Sequence, residues 1–526
     1  MLAHGPGGQA GLVYPARTGY APREALQKRE VMGLPPDLVA DLHLTDLAQE
    51  PVWPSAWIAG AAHYADAPLI PLCSPIDRAM LGEFAPATVG VMQHAVEASY
   101  GAFLKWRMVP TTQRLALIGA IRTRVDEARP ALQQILTLET GATVRQAQYE
   151  VEAWICACDQ ALAAGGGHDA IDDTVPPASQ VMWQALGAMA MISGSRSPLA
   201  AWARHAMAAL ACGNTLLWKP SPKTLLTAVA VQRILELAVA DVGPPVPVQV
   251  CQLLAGGEEV GAQLAGHTSL ALVAVTGQPE TVQLVATTVA SRGGRCLADM
   301  YGSGAAIVSP RASVNDTLPL LLPYLMGHVA NRTDGIQRII VHESHFGEWS
   351  KQLGLAVDRW RVGDPRDASQ DCGPLLDADA WWSVQAALQA AGQDGCETMT
   401  GGTRIVCDQG NGGCYVRPAV VSSPYGTDAI AHAIGLPILF VYPYQEMLDA
   451  LMLHNACGTA PFTLLVTGHD DELQQYLAAD GVSSAHIHWV RPDANLSAGA
   501  YDLGVPSTDY TLYMRRTVFA AAGTCS

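Results

Sequence analysis

The stretch "LGAMAMISGSRSPLAAWARHAMAALACGNTLLWKPS", residues 186–221, decides the fold of this 526-residue chain. It opens with the short apolar run "LGAMAMIS" and closes with a second run, "NTLLWKP". A continuous apolar run of this length is typical of a strand that is covered on both faces. We expect the segment between the runs, "PLAAWARHAMAALACG", to be a helix. The stretch therefore predicts two parallel strands joined by a helix.

The same alternation continues along most of the chain. Next come, in order, a predicted helix, strand, helix and strand: "TLLTAVAVQRILELAVADV", "VPVQVCQLLAG", "GEEVGAQLAGH" and "LALVAVTG". A second alternating segment begins near "YGSGAAIVSP" and runs to about residue 485. This pattern predicts doubly wound α/β sheets, whose ligands bind beyond the carboxyl ends of the strands.

Two helical stretches precede the first unit. The stretch "ATVGVMQHAVEASYGAFLKWR" has apolar residues at spacings of three and four. The pattern continues over residues 111–141, where Thr111 or Thr112 is a candidate N-cap and Gly141 a candidate stop.

Composition excludes several classes of protein. The formal net charge is −17 and no cluster of Lys or Arg appears, which argues against nucleic acid as a partner. The 12 cysteines form no CxxC motif, so we expect free thiols in a reducing cytosol and no metal site. The apolar run "LPLLLPYLMGHVA" has fewer than the roughly 20 residues that a membrane span needs. We therefore expect a soluble, cytoplasmic protein without a membrane partner.

Several motifs in a fixed order give the chain a resemblance to the aldehyde dehydrogenase superfamily over about residues 55–520. The motifs are "LETG", "SPLAAWARHAMAALACGNTLLWKPS", "GGEEVGAQLAGHTSLALVAVTG", "RVGDPRDASQDCGPLLD", the pair Gly401 and Gly402, and "CYVRPAVV". Within the superfamily, "SPIDRAMLGEFAPA", "VQVCQLLAGGEEVGAQLAGH" and "RTVFAAAG" look most similar to the glutamate-semialdehyde (pyrroline-5-carboxylate) dehydrogenase module of bifunctional proline-utilisation proteins.

The resemblance implies an aldehyde-dehydrogenase-like α/β fold in four parts. An N-terminal extension spans residues 1–50, and a Rossmann-type NAD-binding domain spans 51–300, with a hairpin near 170–184. A second, catalytic-type α/β domain spans 301–485. A C-terminal return with a small oligomerisation strand spans 486–526.

The catalytic positions of the family carry different residues in this chain. The nucleophile motif, Gly-Gln-any-Cys, falls on residues 330–333 and places Thr333 at the cysteine, or Asp334 if the register shifts by one. A Thr hydroxyl needs a dedicated base to act as a nucleophile. The oxyanion-hole Asn falls on Arg196 and the general-base Glu on Asp299. Asp299 is either a catalytic relic or a carboxylate that stabilises the fold, and Asp299 or Asp334 is a candidate partner for Arg196.

The cofactor positions are also altered. The resemblance maps the nicotinamide-ribose carboxylate to Ala433, the adenosine-side Lys to Lys219, and that lysine's acidic partner to Pro222. The remaining vestigial cofactor positions are Ser221, Gly277 and Gln278. Lys219 is interpreted either as a structural residue or as a cofactor ligand.

Two functions stay open at this point. In the first, the protein is a pseudoenzyme: a catalytically silent structural or regulatory subunit that needs no cofactor. It forms a homo-oligomer, or a hetero-oligomer with an active aldehyde dehydrogenase paralogue. In the second, it is an NAD- or NADP-dependent dehydrogenase of the glutamate-semialdehyde type with an altered active site.

Cys296 and Cys372 do not fall on the nucleophile position and are interpreted as buried thiols. The segments "AIDDTVPPASQVMWQ" and "YTLYMRRTVF" resemble the family's oligomerisation hairpin and C-terminal strand, and the resemblance implies that this strand joins a neighbouring subunit's sheet.

Overall fold

A computed structural model of the chain describes most of its length. The described residues are 34–47, 52–165, 179–301, 304–329, 335–405, 412–423, 430, 433–456, 463–466, 487–490 and 509–520. Within them, no helix is long and apolar enough to cross a membrane.

The described helices and strands alternate as the sequence predicts. The helices are α1 (Pro36–Asp41), α2 (Val89–Trp106), α3 (Thr111–Glu127), α4 (Arg129–Thr140), α5 (Val144–Ala163), α6 (Pro198–Ala211), α7 (Leu225–Val242), α8 (Glu258–Gly266), α9 (Pro279–Ser291), α10 (Val314–Val329), α11 (Glu343–Asp358), α12 (Ala378–Gln393) and α13 (Met447–Asn455). The strands are β1 (Val52–Trp53), β2 (Ala56–Ile58), β3 (Ala61–His63), β4 (Ile70–Cys73), β5 (Met80–Phe84), β6 (Ser179–Ala185), β7 (Ala188–Ser193), β8 (Thr215–Lys219), β9 (Cys251–Leu254), β10 (Leu272–Gly277), β11 (Arg295–Met300), β12 (Gly304–Val308), β13 (Ile336–His342), β14 (Glu397–Thr400), β15 (Arg404–Ile405), β16 (Tyr415–Val416), β17 (Ala419–Ser422), β18 (Ile438–Tyr444), β19 (Thr463–Val466), β20 (Ile487–Val490) and β21 (Met514–Ala520).

The first large sheet is built around residues 186–221, which supply β7 and β8. Its seven strands have the order β11-β10-β7-β8-β9-β2-β3, and β7 to β11 run parallel. Because β8 lies on one side of β7 and β10 on the other, the strand order reverses beside β7. Such a reversal opens a crevice at the carboxyl ends of the two strands. The predicted doubly wound α/β organisation is confirmed.

Both faces of this sheet are buried, as the continuous apolar runs predict. On β7, Met189 and Met191 pack into the core that contains α6 and α7. Ala190 and Ile192 pack on the opposite face with residues of α2, α8 and α9. Since successive side chains of a strand point to opposite faces, one apolar run fills two cores.

The second large sheet repeats this arrangement. Its order is β14-β17-β18-β13-β12-β19-β20, with only the edge strand β14 antiparallel among its described strands. One face packs on α12 and α13 and the other on α10 and α11.

The C-terminal strand pairs with a strand of the same chain. Strand β21 runs antiparallel to β6, from Met514 opposite Ala185 to Ala520 opposite Ser179. One edge of β21 is thus paired with β6 of the same chain, and the expected pairing with a neighbouring subunit's sheet stays a prediction. The match of two seven-residue strands gives the local pairing its full ladder of hydrogen bonds. Residues 170–178 of the predicted hairpin lie outside the described residues.

The helical region before the first sheet also differs in detail from the expectation. The predicted helix over 111–141 is two helices, α3 and α4, separated at Ala128. Pro130 stands near the start of α4 and cannot donate the backbone hydrogen bond that a continuous helix requires. Helix α3 begins after Pro110 rather than on a threonine cap, while Gly141 ends α4 with a positive φ of 74° as predicted.

Candidate active site

The candidate site lies where β7, β10 and β11 end side by side. The amide of Gly194, just after β7, donates to the carbonyl of Thr276 at 2.9 Å. The amide of Tyr301, just after β11, donates to the carbonyl of Gly277 at 2.7 Å. These bonds bring the loop that carries Arg196 next to Gly277 and Tyr301, as the sheet order requires.

Arg196 occupies the centre of this loop. Its Cζ lies 5.3 Å from the centre of the Tyr301 ring, and its backbone amide donates to the Tyr301 hydroxyl at 3.2 Å. The guanidinium fills the space that any side chain at Gly435, in the loop before β18, would need. Burial lowers the pKa of Arg196 to about 10, so the group stays charged at neutral pH. Arg196 thus bridges the first sheet unit and the second.

Asp299 does not pair with Arg196, which corrects that candidate pairing. Its carboxylate forms an ion pair with Arg204 and accepts a hydrogen bond from Nε2 of His205 at 3.0 Å. Burial alone would raise the pKa of Asp299, but the His205 hydrogen bond and the Arg204 charge bring it down to about 2. Of the two sequence interpretations, the fold-stabilising carboxylate fits this arrangement.

His205 extends this network to the C-terminal segment. Burial lowers the pKa of His205 despite its bond to Asp299, so the ring is neutral at pH 7. Since the Asp299 carboxylate only accepts, Nε2 carries the proton and Nδ1 accepts from the Tyr513 hydroxyl at 2.7 Å. Asn214 donates to the Tyr513 carbonyl at 2.9 Å. Sequence reasoning missed His205, Tyr301, Tyr513 and Gly435, because each acts through a contact distant in sequence.

Lys219 ends β8 and is buried, with 5% of its surface exposed. Among the described residues, no carboxylate lies within ion-pair distance of its ammonium, and burial lowers its pKa to about 8. Ser221 instead caps the short turn that follows, where its Oγ accepts from the amide of Lys223 at 3.3 Å. Ala433 is buried, and its carbonyl accepts from Gln337 Nε2 at 2.7 Å.

The helix N-termini near this edge of the sheet carry acidic residues and a proline. Helix α9 begins after Gln278, whose side chain makes no capping bond, and its first residue, Pro279, has no N–H to offer a phosphate. Glu280 places a carboxylate in the first turn of α9, and Glu258 and Glu259 do the same in α8. These charges repel the anion that a helix N-terminus would otherwise attract.

The nucleophile positions are not among the described residues. Thr333 and Asp334, with the rest of residues 330–334, lie outside them. Cys372 is buried and Cys296 partly buried, and burial raises the pKa of both thiols. A raised pKa lowers the thiolate fraction, so neither cysteine is an activated nucleophile. The described part of the chain holds no group of His, Cys, Asp or Glu arranged to bind a metal.

Replacing Lys219 with Met is expected to stabilise the protein by about 3 kcal/mol at pH 7, because the pKa of Lys219 is about 8 in the folded chain and 10.5 in the unfolded chain. Between pH 8 and 10.5 the unfolded chain holds a proton that the folded chain has lost. The free energy of unfolding of the natural protein should therefore rise with pH in that window, and the variant should lack this rise. Urea unfolding at pH 7 and pH 10 measures both effects.

The matched control is Lys351→Met, at an exposed lysine on α11. It should change stability by less than about 0.5 kcal/mol. A Lys219→Met variant less stable than the natural protein at pH 7 would mean that the buried ammonium is well compensated.

Comparisons with known proteins agree with the fold. The model of the "Aldehyde dehydrogenase family" matches residues 63–492. Among curated proteins, the alpha-aminoadipic semialdehyde dehydrogenase of Bos taurus is 27% identical over 385 residues, which cover 72% of this chain and 70% of that protein. The aldehyde dehydrogenase family 7 member A1 of Pisum sativum is 25% identical over 423 residues, covering 79% and 82%.

Solved structures give the same result. The betaine aldehyde dehydrogenase of Staphylococcus aureus, solved in complex with NAD+, superposes with a TM-score of 0.78 at 19% identity. The match covers 92% of this chain and 97% of that one. At this identity the likeness concerns the fold, an NAD-binding Rossmann-type architecture joined to a second α/β unit.

Proposed function

Because the chain belongs to the aldehyde dehydrogenase family, we propose that it is a catalytically silent member that acts as a structural or regulatory subunit. The observation that carries this proposal is the engagement of Asp299. The residue at the general-base position is bound to Arg204 and to His205, which ties it to the fold.

A base held in this way is poorly suited to catalysis. General bases work best when their pKa lies near the working pH. The pKa of Asp299 is about 2, so its carboxylate is a weak base at pH 7. Breaking its bonds to reach a water molecule would also leave the buried His205 without its acceptor, at a cost of roughly 1–3 kcal/mol.

The altered cofactor positions support the same proposal. The position implied for the ribose carboxylate is Ala433, and Arg196 fills the space beside Gly435, two residues further on. The carboxylates of Glu258 and Glu280 stand at the helix ends where phosphates would bind. We therefore infer that the protein works without a dinucleotide.

The alternative is an NAD(P)-dependent semialdehyde dehydrogenase with an altered site. The match to semialdehyde dehydrogenases such as the Bos taurus protein favours it. The finer resemblance to a glutamate-semialdehyde dehydrogenase belongs to this alternative. As a dehydrogenase, the protein would need a nucleophile that is not a thiolate at position 333, and it would need a general base other than Asp299.

The subunit role predicts that strand β21 supports assembly. Strands β6 and β21 form a two-stranded sheet separate from both large sheets, and such a sheet is marginally stable alone. We expect the intact protein to be a dimer or larger, with itself or with an active paralogue. Deleting residues 514–526 removes β21 but keeps Tyr513, and should yield monomer or aggregate. Light scattering gives the mass of each species.

The matched control deletes residues 521–526 and leaves β21 whole. It should assemble like the intact chain. If the intact protein is a soluble monomer at micromolar concentration, both alone and mixed with an active aldehyde dehydrogenase, the subunit role is wrong.

A further inference from the structure

The guanidinium of Arg196 differs from those of Arg204 and Arg338 in the groups that it contacts. Arg204 pairs with Asp299, and Arg338 donates from Nη1 to the carbonyls of Leu453 and His454 at 2.8 and 3.0 Å. Within the described part of the chain, the guanidinium of Arg196 donates to no carboxylate or carbonyl. It contacts the Tyr301 ring and the backbone of Gly435.

A partly buried cation that has no anionic partner among the described residues is costly to the fold. Burial removes water from the guanidinium, and neither an aromatic ring nor a glycine backbone replaces the charge–charge attraction that normally offsets this loss. The backbone beside it is also strained, because Ser197 adopts a left-handed conformation with φ 41°. Unusual backbone geometry held at one point is a mark of functional sites.

We propose that Arg196 is the anchor of a binding site for a small carboxylate at the carboxyl ends of β7 and β11. The planar guanidinium matches a carboxylate in a two-point hydrogen bond, which a neutral carbonyl or hydroxyl does not provide. The negative charge of the bound ligand would pair with the guanidinium, which pairs with no carboxylate among the described residues.

The surrounding charges favour a carboxylate over a phosphate. Glu258, Glu259 and Glu280 stand at helix ends on the same edge of the sheet, and the whole chain carries −17. A dianion such as phosphate meets more repulsion in this field than a group of single charge. The ring of Tyr301 also limits the approach to the guanidinium, which favours a small ligand.

Calorimetry and thermal unfolding of the full chain test this site, with no cofactor or aldehyde present. The probes are the monocarboxylates sodium acetate, propionate and butyrate, compared with sodium phosphate and with sodium chloride at matched ionic strength. At least one carboxylate should bind saturably below about 10 mM, which corresponds to only a few kcal/mol of binding free energy. Phosphate and chloride should not saturate in this range.

Variants of Arg196 test whether this side chain binds the carboxylate. Arg196→Gln should weaken carboxylate binding at least about tenfold, since a charged hydrogen-bonded pair is lost. Arg196→Lys keeps the charge but not the planar fork, and should bind with intermediate affinity. Arg145→Gln, at an exposed arginine on α5, is the matched control and should bind like the natural protein.

The free proteins provide a second readout. Because Arg196→Gln removes a desolvated charge, its unfolding temperature without ligand should equal or exceed that of the natural protein. If Arg196→Gln does not fold, the Arg196→Lys variant and the contrast between carboxylate and chloride on the natural protein decide the question.

The proposal is overturned if no carboxylate binds better than chloride, or if Arg196→Gln binds as tightly as the natural protein. This inference goes beyond catalytic silence. Failure to bind carboxylates leaves the silent-subunit proposal standing, and turnover of aldehydes would refute silence without touching the binding result.

Discussion

NAD and NADP are expected to bind the protein too weakly to saturate it below millimolar concentration. The position of the ribose carboxylate is Ala433, and the acidic partner of Lys219 is replaced by Pro222. Each lost hydrogen bond to a charged group costs about 1.5–3 kcal/mol, so two losses weaken binding by roughly two to four powers of ten. The first-turn carboxylates of α8 and α9 add repulsion toward the phosphates. Isothermal titration calorimetry at low salt measures the affinity.

The betaine aldehyde dehydrogenase of Staphylococcus aureus, whose structure holds NAD+, is the positive control for this titration. A dissociation constant in the micromolar range for the present protein would contradict the expected loss. It would mean that Lys219 and Gly277 suffice to hold the cofactor in this fold.

Neither the natural protein nor a Thr333→Cys variant is expected to oxidise aldehydes. Returning a thiol to the nucleophile position leaves Asp299 bound to His205 and Arg204, and leaves Ala433 without a carboxylate. Loss of a general base alone typically lowers rates by about 10²–10⁴, and weak cofactor binding lowers them further. Absorbance of the reduced cofactor, with a panel of aldehydes that includes glutamate semialdehyde, measures turnover.

The control for this variant is a check that the new thiol is accessible, by titration with a thiol reagent against the natural protein. Recovery of turnover by Thr333→Cys would show that the nucleophile is the sole missing part, which contradicts a site altered at several positions.

The fold was predictable because its signals are local. The apolar runs of β7 and β8, joined by α6, fill a sheet that is covered on both faces, and such runs are readable without any tertiary contact. Gly141 as the end of α4 was readable for the same reason, since only the local backbone decides it. Pro130 also marks the break between α3 and α4 locally. The apolar residues on both sides of it keep helical spacing, and this spacing led to the prediction of one continuous helix.

The candidate site was only partly predictable. Motif order placed Arg196, Asp299 and Lys219 at the edge of the sheet, where the structure also has them. Their partners came from far along the chain: Asp299 binds His205, and His205 binds Tyr513, 308 residues away in sequence. A single sequence carries no signal for such pairings, because they depend on how two sheets and a C-terminal segment pack. The pairing of β21 with β6 was not predictable for a related reason, since strand complementarity does not tell which segment supplies the partner.

The most direct test of catalytic silence is a progress curve of the natural protein at high concentration, with NAD or NADP in large excess and each aldehyde of the panel. The account predicts no aldehyde-dependent formation of reduced cofactor, while an active family member assayed in parallel turns over at ordinary enzyme rates. Aldehyde-dependent turnover of the natural protein above about 1 per second, which is an ordinary rate for an enzyme, would contradict it.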